Sequence, residues 1–485
     1  MGVTIGEAAR VAPSDRQLAW QELEFYAFIH FTVNTFTDRE WGTGEEKPEV
    51  FNPAELDASQ WIEVCKSGGM KAVILTCKHH DGFCLWPSRQ TPHTVRNSPW
   101  RDGQGDLVRE VADACRAAGL KFGIYLSPWD RHEPSYGDSD RYNSFFVEQL
   151  KELLTGYGEL FCVWFDGACG EGPNGKRQAY DWDAYYLVIR ELQPNAVISV
   201  CGPDVRWCGN EAGHTRRNEW SVVPASMRDN EKIQSESQQE DDPEFARRAG
   251  SGDEDLGSRA VLDRTDEVIW YPAEVNTSIR PGWFYHASED SRVKSTEELI
   301  DLYERTVGGN STFLLNLPPD LRGLIHETDA ERLKELGNRL RARYRYNLAA
   351  EAQVSADESL DADHSPDKLV DGRSDTYWSA PHGSEQAAIE LDLGSEKLFD
   401  RIVLGEYIRE GQRIERFRLE REAGGEWLPF YEGEVVGYKK ICRFDPIRAR
   451  RIRIRILESR WCPTLKEVGV FRTEVAYEET REQSG

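Results

Sequence analysis

The sequence predicts an α/β protein in which an irregular (β/α)8 TIM-like barrel is followed by an all-β sandwich domain. Apolar, β-rich runs alternate with amphipathic helical segments through the first part of the chain. After about residue 345 this pattern gives way to short alternating strands separated by Gly, Asp and Asn. The length of 485 residues also favours more than one domain. We therefore assign residues 1–345 to the barrel and residues 346–485 to the sandwich.

Eight apolar runs are candidate barrel strands. They span residues 25–31, 71–77, 121–127, 160–166, 197–202, 219–223, 267–275 and 311–317. Amphipathic segments, the candidate helices, lie near 57–67, 105–118, 142–157, 182–193, 295–307 and 327–343. Near-continuous apolar strands between such helices are typical of a parallel sheet covered on both faces. A doubly wound open sheet is the alternative, although no G-x-G-x-x-G follows the first strand.

Two stretches make the predicted barrel irregular. Little helix fits between residues 202 and 219, so the fifth and sixth strands are joined by a loop. The stretch 224–266 is charged and weakly apolar, which is typical of a long surface insertion that is partly mobile.

Charge and composition exclude several classes of partner. The net charge of −25 would repel nucleic acid and anionic membrane surfaces, so a neutral small molecule is the expected ligand. No apolar stretch reaches the length of a membrane helix, and no signal peptide is visible, so we expect a cytoplasmic protein, with secretion as the alternative if a signal was trimmed. The ten cysteines form no CxxC pair and are expected to be small core residues in a reducing compartment. The sequence does not decide whether the chain forms a homo-oligomer.

Polar residues follow most of the candidate strands. In a (β/α)8 barrel the active site lies at the carboxyl ends of the strands, so these residues should meet at one mouth. They include His30, His79, His80, Asp81, Tyr125, Asp166, Asp204, Arg206, Trp207, Glu211, Trp283 and His286. Carboxylates and histidines that bond hydroxyls, together with aromatic rings that pack on C–H faces, are typical of a sugar site.

Glycoside hydrolysis usually needs two carboxyl groups, of which one attacks or directs water and the other protonates the leaving oxygen. Asp166 is the better candidate for the attacking group, because it follows a buried strand and precedes Gly167. The alternative is an aspartate that only caps the turn into the next helix. The run from His79 to Asp81 could also be a metal site, but neighbouring strand residues point to opposite faces, so no metal is expected.

Several motifs, taken together and in order, resemble the α-L-fucosidases of glycoside hydrolase family 29. They are FIHF (28–31), EWG (40–42), KHHDGFCLWPS (78–88), GIYLSPW (123–129), VWFDGA (163–168) and GWFYH (282–286). The similarity covers about residues 15–345. It implies a retaining exo-α-L-fucosidase that needs no cofactor and releases terminal fucose from oligosaccharides or glycoconjugates.

The resemblance also implies roles for individual residues. Asp166 matches the nucleophile that forms a covalent fucosyl-enzyme. Glu211 matches the acid/base of the branch that prefers α-1,3/1,4-linked fucose, with Glu219 and Asp204 as alternatives. The implied substrate-binding residues are His30, Glu40, Trp41, His79, His80, Tyr125, Trp164 and Trp283, and Arg206 is added from the loop that carries Glu211.

The C-terminal part resembles a discoidin-like (coagulation-factor-type) sandwich. Its D-G-x-x-x-T-x-W signature is formed by Asp371, Gly372, Thr376 and Trp378. Such domains either support the barrel or bind sugar, and the sequence leaves both open. Two other hypotheses about the function of the protein also stay open. It could act mainly as a transfucosylase, or it could be a non-catalytic fucose-binding protein.

Overall fold

The computed structural model describes residues 2–242, 245, 248 and 254–473. Its α-helices are α1 Ile5–Ala8, α2 Asp15–Gln21, α3 Val33–Thr37, α4 Ala58–Ser67, α5 Leu107–Ala118, α6 Ser139–Gly156, α7 Trp182–Leu192, α8 Asn230–Glu236, α9 Arg259–Leu262, α10 Thr296–Thr306 and α11 Glu327–Arg343. Its strands are β1 Phe25–Ile29, β2 Ala72–Lys78, β3 Lys121–Leu126, β4 Cys162–Phe165, β5 Val197–Val200, β6 Arg206–Trp207, β7 Val222–Pro224, β8 Val268–Trp270, β9 Ala273–Ser278, β10 Thr312–Asn316, β11 Gln353–Ala356, β12 Trp378–Ser379, β13 Ala387–Gly405, β14 Ile414–Ala423, β15 Glu426–Glu434, β16 Lys440–Ser459, β17 Thr464–Leu465 and β18 Glu467–Phe471. Within the described residues, no helix combines the length and apolar character needed to span a bilayer.

Eight parallel strands form the barrel, in the order β5-β4-β3-β2-β1-β10-β9-β6. A parallel bridge between Ser199 and Val205 brings the two end strands together. The Val200 N–H also donates to the Val205 carbonyl at 3.0 Å. This near-closure confirms the TIM-like barrel and rules out the open doubly wound sheet.

The predicted sixth barrel strand is wrong. Residues 222–224 form β7, which pairs antiparallel with β8 outside the barrel. The sixth barrel strand is instead β6, which is only two residues long. A strand this short carries no period-two pattern, so the sequence offered no signal for it. The predicted run 267–275 likewise covers β8 and only the start of the barrel strand β9.

The six predicted amphipathic segments are confirmed as α4, α5, α6, α7, α10 and α11. Helix α5 illustrates why they form. The Asp106 side chain accepts from the Arg109 N–H at 2.9 Å and caps its N-terminus, and Gly119 ends it at a φ of +76°. Between these caps Leu107, Val111 and Cys115 share one buried face.

The stretch 224–266 is more than a surface insertion. Helix α8 packs Ile233 against the barrel core, and the residues after it, Ser237 and Gln238, reach the barrel mouth. The prediction of a surface segment is therefore wrong for this part. The predicted mobility of this stretch stays a prediction for residues 243–244, 246–247 and 249–253, which lie outside the described residues.

The C-terminal part is an antiparallel sandwich, as predicted. Its larger sheet has the order β11-β13-β16-β14-β15, with β18 also paired to β13, and β12 pairs with β17. The signature residues build its core and one turn. Trp378 is fully buried, and Asp371 accepts a 2.8 Å hydrogen bond from the Thr376 hydroxyl.

The sandwich contacts the end of the barrel at which the strands begin. Asn310, which precedes β10, accepts from the Tyr438 N–H at 2.7 Å. Glu24, which precedes β1, pairs with Lys439 at 2.5 Å. The opposite mouth, where the strands end, is not covered by these contacts. The predicted division at residues 345 and 346 falls between α11 and β11 and stays a prediction.

Candidate active site

One pocket lies where the barrel strands end, as the fold requires of an active site. It is lined by Phe28, His30, Trp41, His79, His80, Tyr125, Trp164, Asp166, Gly167, Ala168, Val200, Trp207, Glu211, Ser237, Gln238, Asn276 and Trp283. Of the residues predicted to be catalytic or to bind substrate, all but Glu40 and Arg206 are in this set. Both predicted catalytic carboxyl groups therefore face the same cavity.

Asp166 directly follows β4 and is held by two donors. The Tyr125 hydroxyl donates to Oδ2 at 2.9 Å, and the Ala168 N–H donates to Oδ1 at 2.9 Å. Burial raises the pKa of Asp166, and these hydrogen bonds oppose that rise because they favour the carboxylate. The two donors fix the orientation of the carboxyl group, and 23% of the side chain stays exposed.

Glu211 projects from the loop after β6. Gly209 and Gly213 on either side have φ values of +97° and +79°, which let the loop turn tightly. Its Oε2 accepts from the Trp283 indole Nε1–H at 2.9 Å. Burial raises the pKa of Glu211 to about 8, with smaller contributions from the charges of Asp166 and Glu40. Glu211 is thus protonated at neutral pH and can donate a proton.

His30 is a neutral hydrogen-bonding group. Burial lowers its pKa to about 3. Its Nδ1 lies 2.8 Å from Asn316 Oδ1, and the Asn316 amide nitrogen donates to Ser278 and to the Trp283 carbonyl. Since the amide oxygen can only accept, His30 must donate from Nδ1, which leaves Nε2 as an acceptor.

His80 is arranged in the same way. Burial lowers its pKa to about 3. The Ser127 hydroxyl donates to the Trp129 carbonyl at 2.6 Å, so it accepts from His80 Nδ1 at 2.7 Å. His80 Nε2 is then an acceptor that lies 3.7 Å from Asp166 Oδ2. Two acceptors that face each other favour a ligand hydroxyl between them.

His79 lies closer to His80 than the sequence predicted. Their ring centroids are 4.1 Å apart, because β2 ends at Lys78 and the strand alternation ends with it. Ligand atoms of His79, His80 and Asp166 lie within 4.8 Å of one another, the one such group among the described residues. The two histidines therefore do not diverge as strand alternation predicted, and these three side chains could hold a divalent ion.

Aromatic rings form the floor and walls of the pocket. Trp164 stacks on Tyr125 with centroids 5.3 Å apart and meets the edge of Phe28 at 5.1 Å. Trp41 meets the edge of His80 at 5.2 Å, and Trp283 lies 5.2 Å from His30. Such rings provide flat apolar surfaces for the C–H faces of a sugar.

Arg206 does not line the pocket, and its prediction as a substrate-binding residue is wrong. Successive side chains of β6 point to opposite sides, so Trp207 enters the pocket and Arg206 turns away. Arg206 is buried against Glu219 and the Tyr271 carbonyl instead. The alternative acid/bases are also engaged elsewhere, since Asp204 pairs with Arg190 and Glu219 with Arg206.

Glu40 is not among the residues that line the pocket, although 23% of its side chain is exposed, and its predicted place among the substrate contacts stays a prediction. Its carboxylate accepts from the backbone N–H groups of Trp283 at 2.8 Å and Phe284 at 3.1 Å. His286 Nε2 lies 2.8 Å from Oε1, and this hydrogen bond is the main reason that the pKa of His286 is raised to about 9. Glu40 and His286 therefore fix the loop that carries Trp283.

Three polar residues of the pocket were not among the predicted site residues. Ser237 and Gln238 lie in the stretch that was interpreted as a surface insertion. Asn276 lies within β9, one residue beyond the predicted run, and accepts from Trp207 Nε1 at 3.0 Å. A polar residue inside an apolar strand was the signal that could have revealed Asn276.

Comparison with known proteins agrees with this geometry. Residues 13–343 match the alpha-L-fucosidase family, and residues 353–467 match the F5/8 type C domain. The chain is 41% identical over 467 residues to Alpha-L-fucosidase 1 of Arabidopsis thaliana, which covers 95% of this chain and 87% of that protein.

Solved structures extend the likeness to the whole fold. A Ruminococcus gnavus GH29 fucosidase in complex with fucose has a TM-score of 0.83 and 31% identity, over 96% of each chain. A glycoside hydrolase 29 family member from an unknown rumen bacterium has a TM-score of 0.78 and 38% identity, over 96% of this chain and 77% of that one. The fold, the pocket chemistry and these relatives lead to one conclusion: the chain belongs to the α-L-fucosidase family, glycoside hydrolase family 29, and is a glycoside hydrolase.

Proposed function

We propose that this α-L-fucosidase works by double displacement, with Asp166 as nucleophile and Glu211 as acid/base. The observation that carries the proposal is the difference between two carboxyl groups in one pocket. Burial raises the pKa of both groups, but Asp166 receives two hydrogen bonds that favour its charged form, whereas Glu211 has a pKa of about 8 and holds its proton. Two carboxyl groups whose environments separate their pKa values are the usual sign of such a pair.

In the first step Asp166 attacks the anomeric carbon of fucose, and the bond from that carbon to the glycan oxygen breaks. Glu211 gives its proton to this oxygen, so the glycan leaves as an alcohol and Glu211 becomes a carboxylate. In the second step Glu211 removes a proton from water, which attacks the anomeric carbon and breaks its bond to Asp166. Fucose is released with retained configuration.

The remaining pocket residues fit the recognition of a neutral sugar. Neutral His30 and His80 each offer an Nε2 acceptor to hydroxyl groups, and His79 lies beside them. Trp41, Trp164 and Trp283 offer apolar faces to the ring and its methyl group. A Ruminococcus gnavus relative was solved with fucose bound, which supports fucosylated small molecules as ligands.

Replacing Asp166 tests the proposal. Asp166→Asn keeps the shape of the side chain but removes the nucleophile, so kcat on an aryl α-L-fucoside should fall by about 10³-fold or more. The melting temperature, measured on the same preparation, should stay within a few degrees of wild type. Retention of more than about a tenth of the wild-type kcat would remove Asp166 from this role.

We also propose a preference for α-1,3/1,4-linked fucose on branched oligosaccharides. It rests on the resemblance of the loop around Glu211 to that branch of the family. A neighbouring branch sugar would fill part of the mouth, near Trp207 and Gln238, and add binding in the transition state. The kcat/KM values on α-1,3-, α-1,4- and α-1,2-linked trisaccharides measure this, and equal values would contradict it.

Whether water or a second sugar receives the fucosyl group is a separate question. Both products arise from the same fucosyl-enzyme, so the ratio of fucose to transfer product at rising acceptor concentration decides between a hydrolase and a transfucosylase. Placement in a reducing cytoplasm also stays a proposal, supported by ten cysteines that are all free and, except for Cys169, buried.

A further inference from the structure

Glu274 is a buried carboxyl group that neither lines the pocket nor takes part in the proposed chemistry. It lies on β9 in the barrel interior and is fully buried. Burial raises its pKa to about 7, which shows that keeping a carboxylate there is costly. An apolar residue would fill the same space without that cost, so the carboxyl group calls for an explanation.

The two oxygens of Glu274 bond to two aromatic side chains on different strands. Oε1 accepts from the Trp164 indole Nε1–H at 2.7 Å. Oε2 accepts from the hydroxyl of Tyr26, which in turn accepts from Trp20 Nε1 at 3.0 Å. Glu274 therefore connects β9 to β4 and β1 through hydrogen bonds rather than through packing alone.

Trp164 passes this constraint to the active site. Its ring lines the pocket and stacks on Tyr125, whose hydroxyl donates to Asp166. Trp164 is also only two residues before Asp166 on the same strand end. If the indole lost its acceptor, its N–H would be left unpaired in the barrel interior, and the ring would have to move to satisfy it.

We propose that Glu274 is a positioning residue of this enzyme, which fixes the Trp164 indole as the floor of the fucose pocket and so holds Tyr125 against Asp166. The inference rests on the proposed role of Trp164 as a sugar contact. It assigns a function to a residue that touches no substrate, and it predicts that Glu274 and Trp164 act as one unit.

A double-mutant cycle tests this coupling. The variants are Glu274→Leu, Trp164→Phe and the double variant, and the readouts are the inhibition constant of fucose and kcat/KM on an aryl fucoside. Glu274→Leu alone should weaken fucose binding and lower kcat/KM by about 10-fold or more, as expected for an unpaired buried donor. In the Trp164→Phe background, which has no indole N–H, the same change should have an effect of less than about 2-fold.

Equal effects of Glu274→Leu in both backgrounds would overturn the inference, because a general structural role is additive. An unchanged fucose inhibition constant in Trp164→Ala, which removes the aromatic face, would mean that Trp164 is no sugar contact, and the proposed function would fail at that residue together with the inference. If Trp164→Ala weakens fucose binding but Glu274→Leu does not, only the inference fails.

Two conservative variants keep the test decisive if Glu274→Leu does not fold. Glu274→Gln keeps an acceptor of the same reach, because its amide oxygen can face Trp164 while its nitrogen donates to Tyr26. It should retain fucose binding within about 3-fold, whereas Glu274→Asp, which draws the acceptor back by one methylene, should reproduce the loss. Tyr26→Phe is the matched control, since it removes the other partner and should leave fucose binding within about 3-fold. Equal fucose binding by the Gln and Asp variants would contradict the proposal.

Discussion

Trp283 donates its indole N–H to Glu211 Oε2 at 2.9 Å, so the proposed acid/base is held by a residue that also forms the pocket wall. This hydrogen bond favours the carboxylate and opposes the larger effect of burial, which raises the pKa of Glu211 to about 8. Since Glu211 must be protonated to start the reaction, kcat/KM should fall about tenfold per pH unit above this value.

The Trp283→Phe variant tests this relationship. It keeps an aromatic wall but removes the donor, so the pKa of Glu211 should rise and the alkaline limb of the kcat/KM profile should move to higher pH. A limb that moves to lower pH, or stays in place, would mean that another group sets it. The measurement is a pH profile on an aryl fucoside whose own leaving group does not titrate in the range used.

The acid limb should respond to Tyr125. Its hydroxyl donates to Asp166 and lowers the pKa of that carboxyl group. In Tyr125→Phe the pKa of Asp166 should rise, so activity should be lost at a higher pH when the solution is acidified. We also expect about a tenfold lower kcat/KM at neutral pH, the usual scale of a hydrogen bond to a charged group. An unchanged acid limb would show that Tyr125 does not control Asp166.

Substitution of Glu219 should lower stability, whereas substitution of Glu211 should lower catalysis. Glu219 pairs with buried Arg206, and Arg216 lies 3.5 Å away, so Glu219→Gln should cost about 3 kcal/mol of unfolding free energy by leaving buried positive charge poorly compensated. Its kcat should stay within a few-fold where the protein is folded. Glu211→Gln is the matched control and should lower kcat with little loss of stability. Denaturant unfolding and kinetics on both variants measure the two effects, and a catalytic defect in Glu219→Gln alone would reverse the assignment.

The sequence was sufficient to predict a site residue where that residue directly follows an apolar strand. Asp166 could be placed because it ends a buried run, and the fold brings the ends of parallel strands together. Glu211 could be placed only through family resemblance, because nothing in the local pattern says that a loop after a two-residue strand turns inward. Both residues line the pocket.

The failures have a common physical cause, which is that side-chain direction depends on tertiary structure. Arg206 and Trp207 are neighbours, yet only Trp207 faces the pocket, and the strand that decides this was not predicted. Glu40 accepts from the loop amides of Trp283 and Phe284, and these partners are too far away in the sequence for a local pattern to reveal them. Glu274 lies in a strand whose interior partners are far away in the sequence, so no local pattern could reveal its role.

The proposed double displacement depends most on Glu211 as the acid/base that works with Asp166. The most direct test is the reaction of Glu211→Ala with an activated aryl α-L-fucoside in the presence of azide. Such substrates need little protonation to leave, so the fucosyl-enzyme should form, and azide should then attack it without help from Glu211. We expect azide to restore turnover and to give a fucosyl azide of retained configuration, while Glu219→Ala shows no such rescue. Rescue of Glu219→Ala but not of Glu211→Ala would contradict the assignment, and an azide product of inverted configuration would contradict the double displacement.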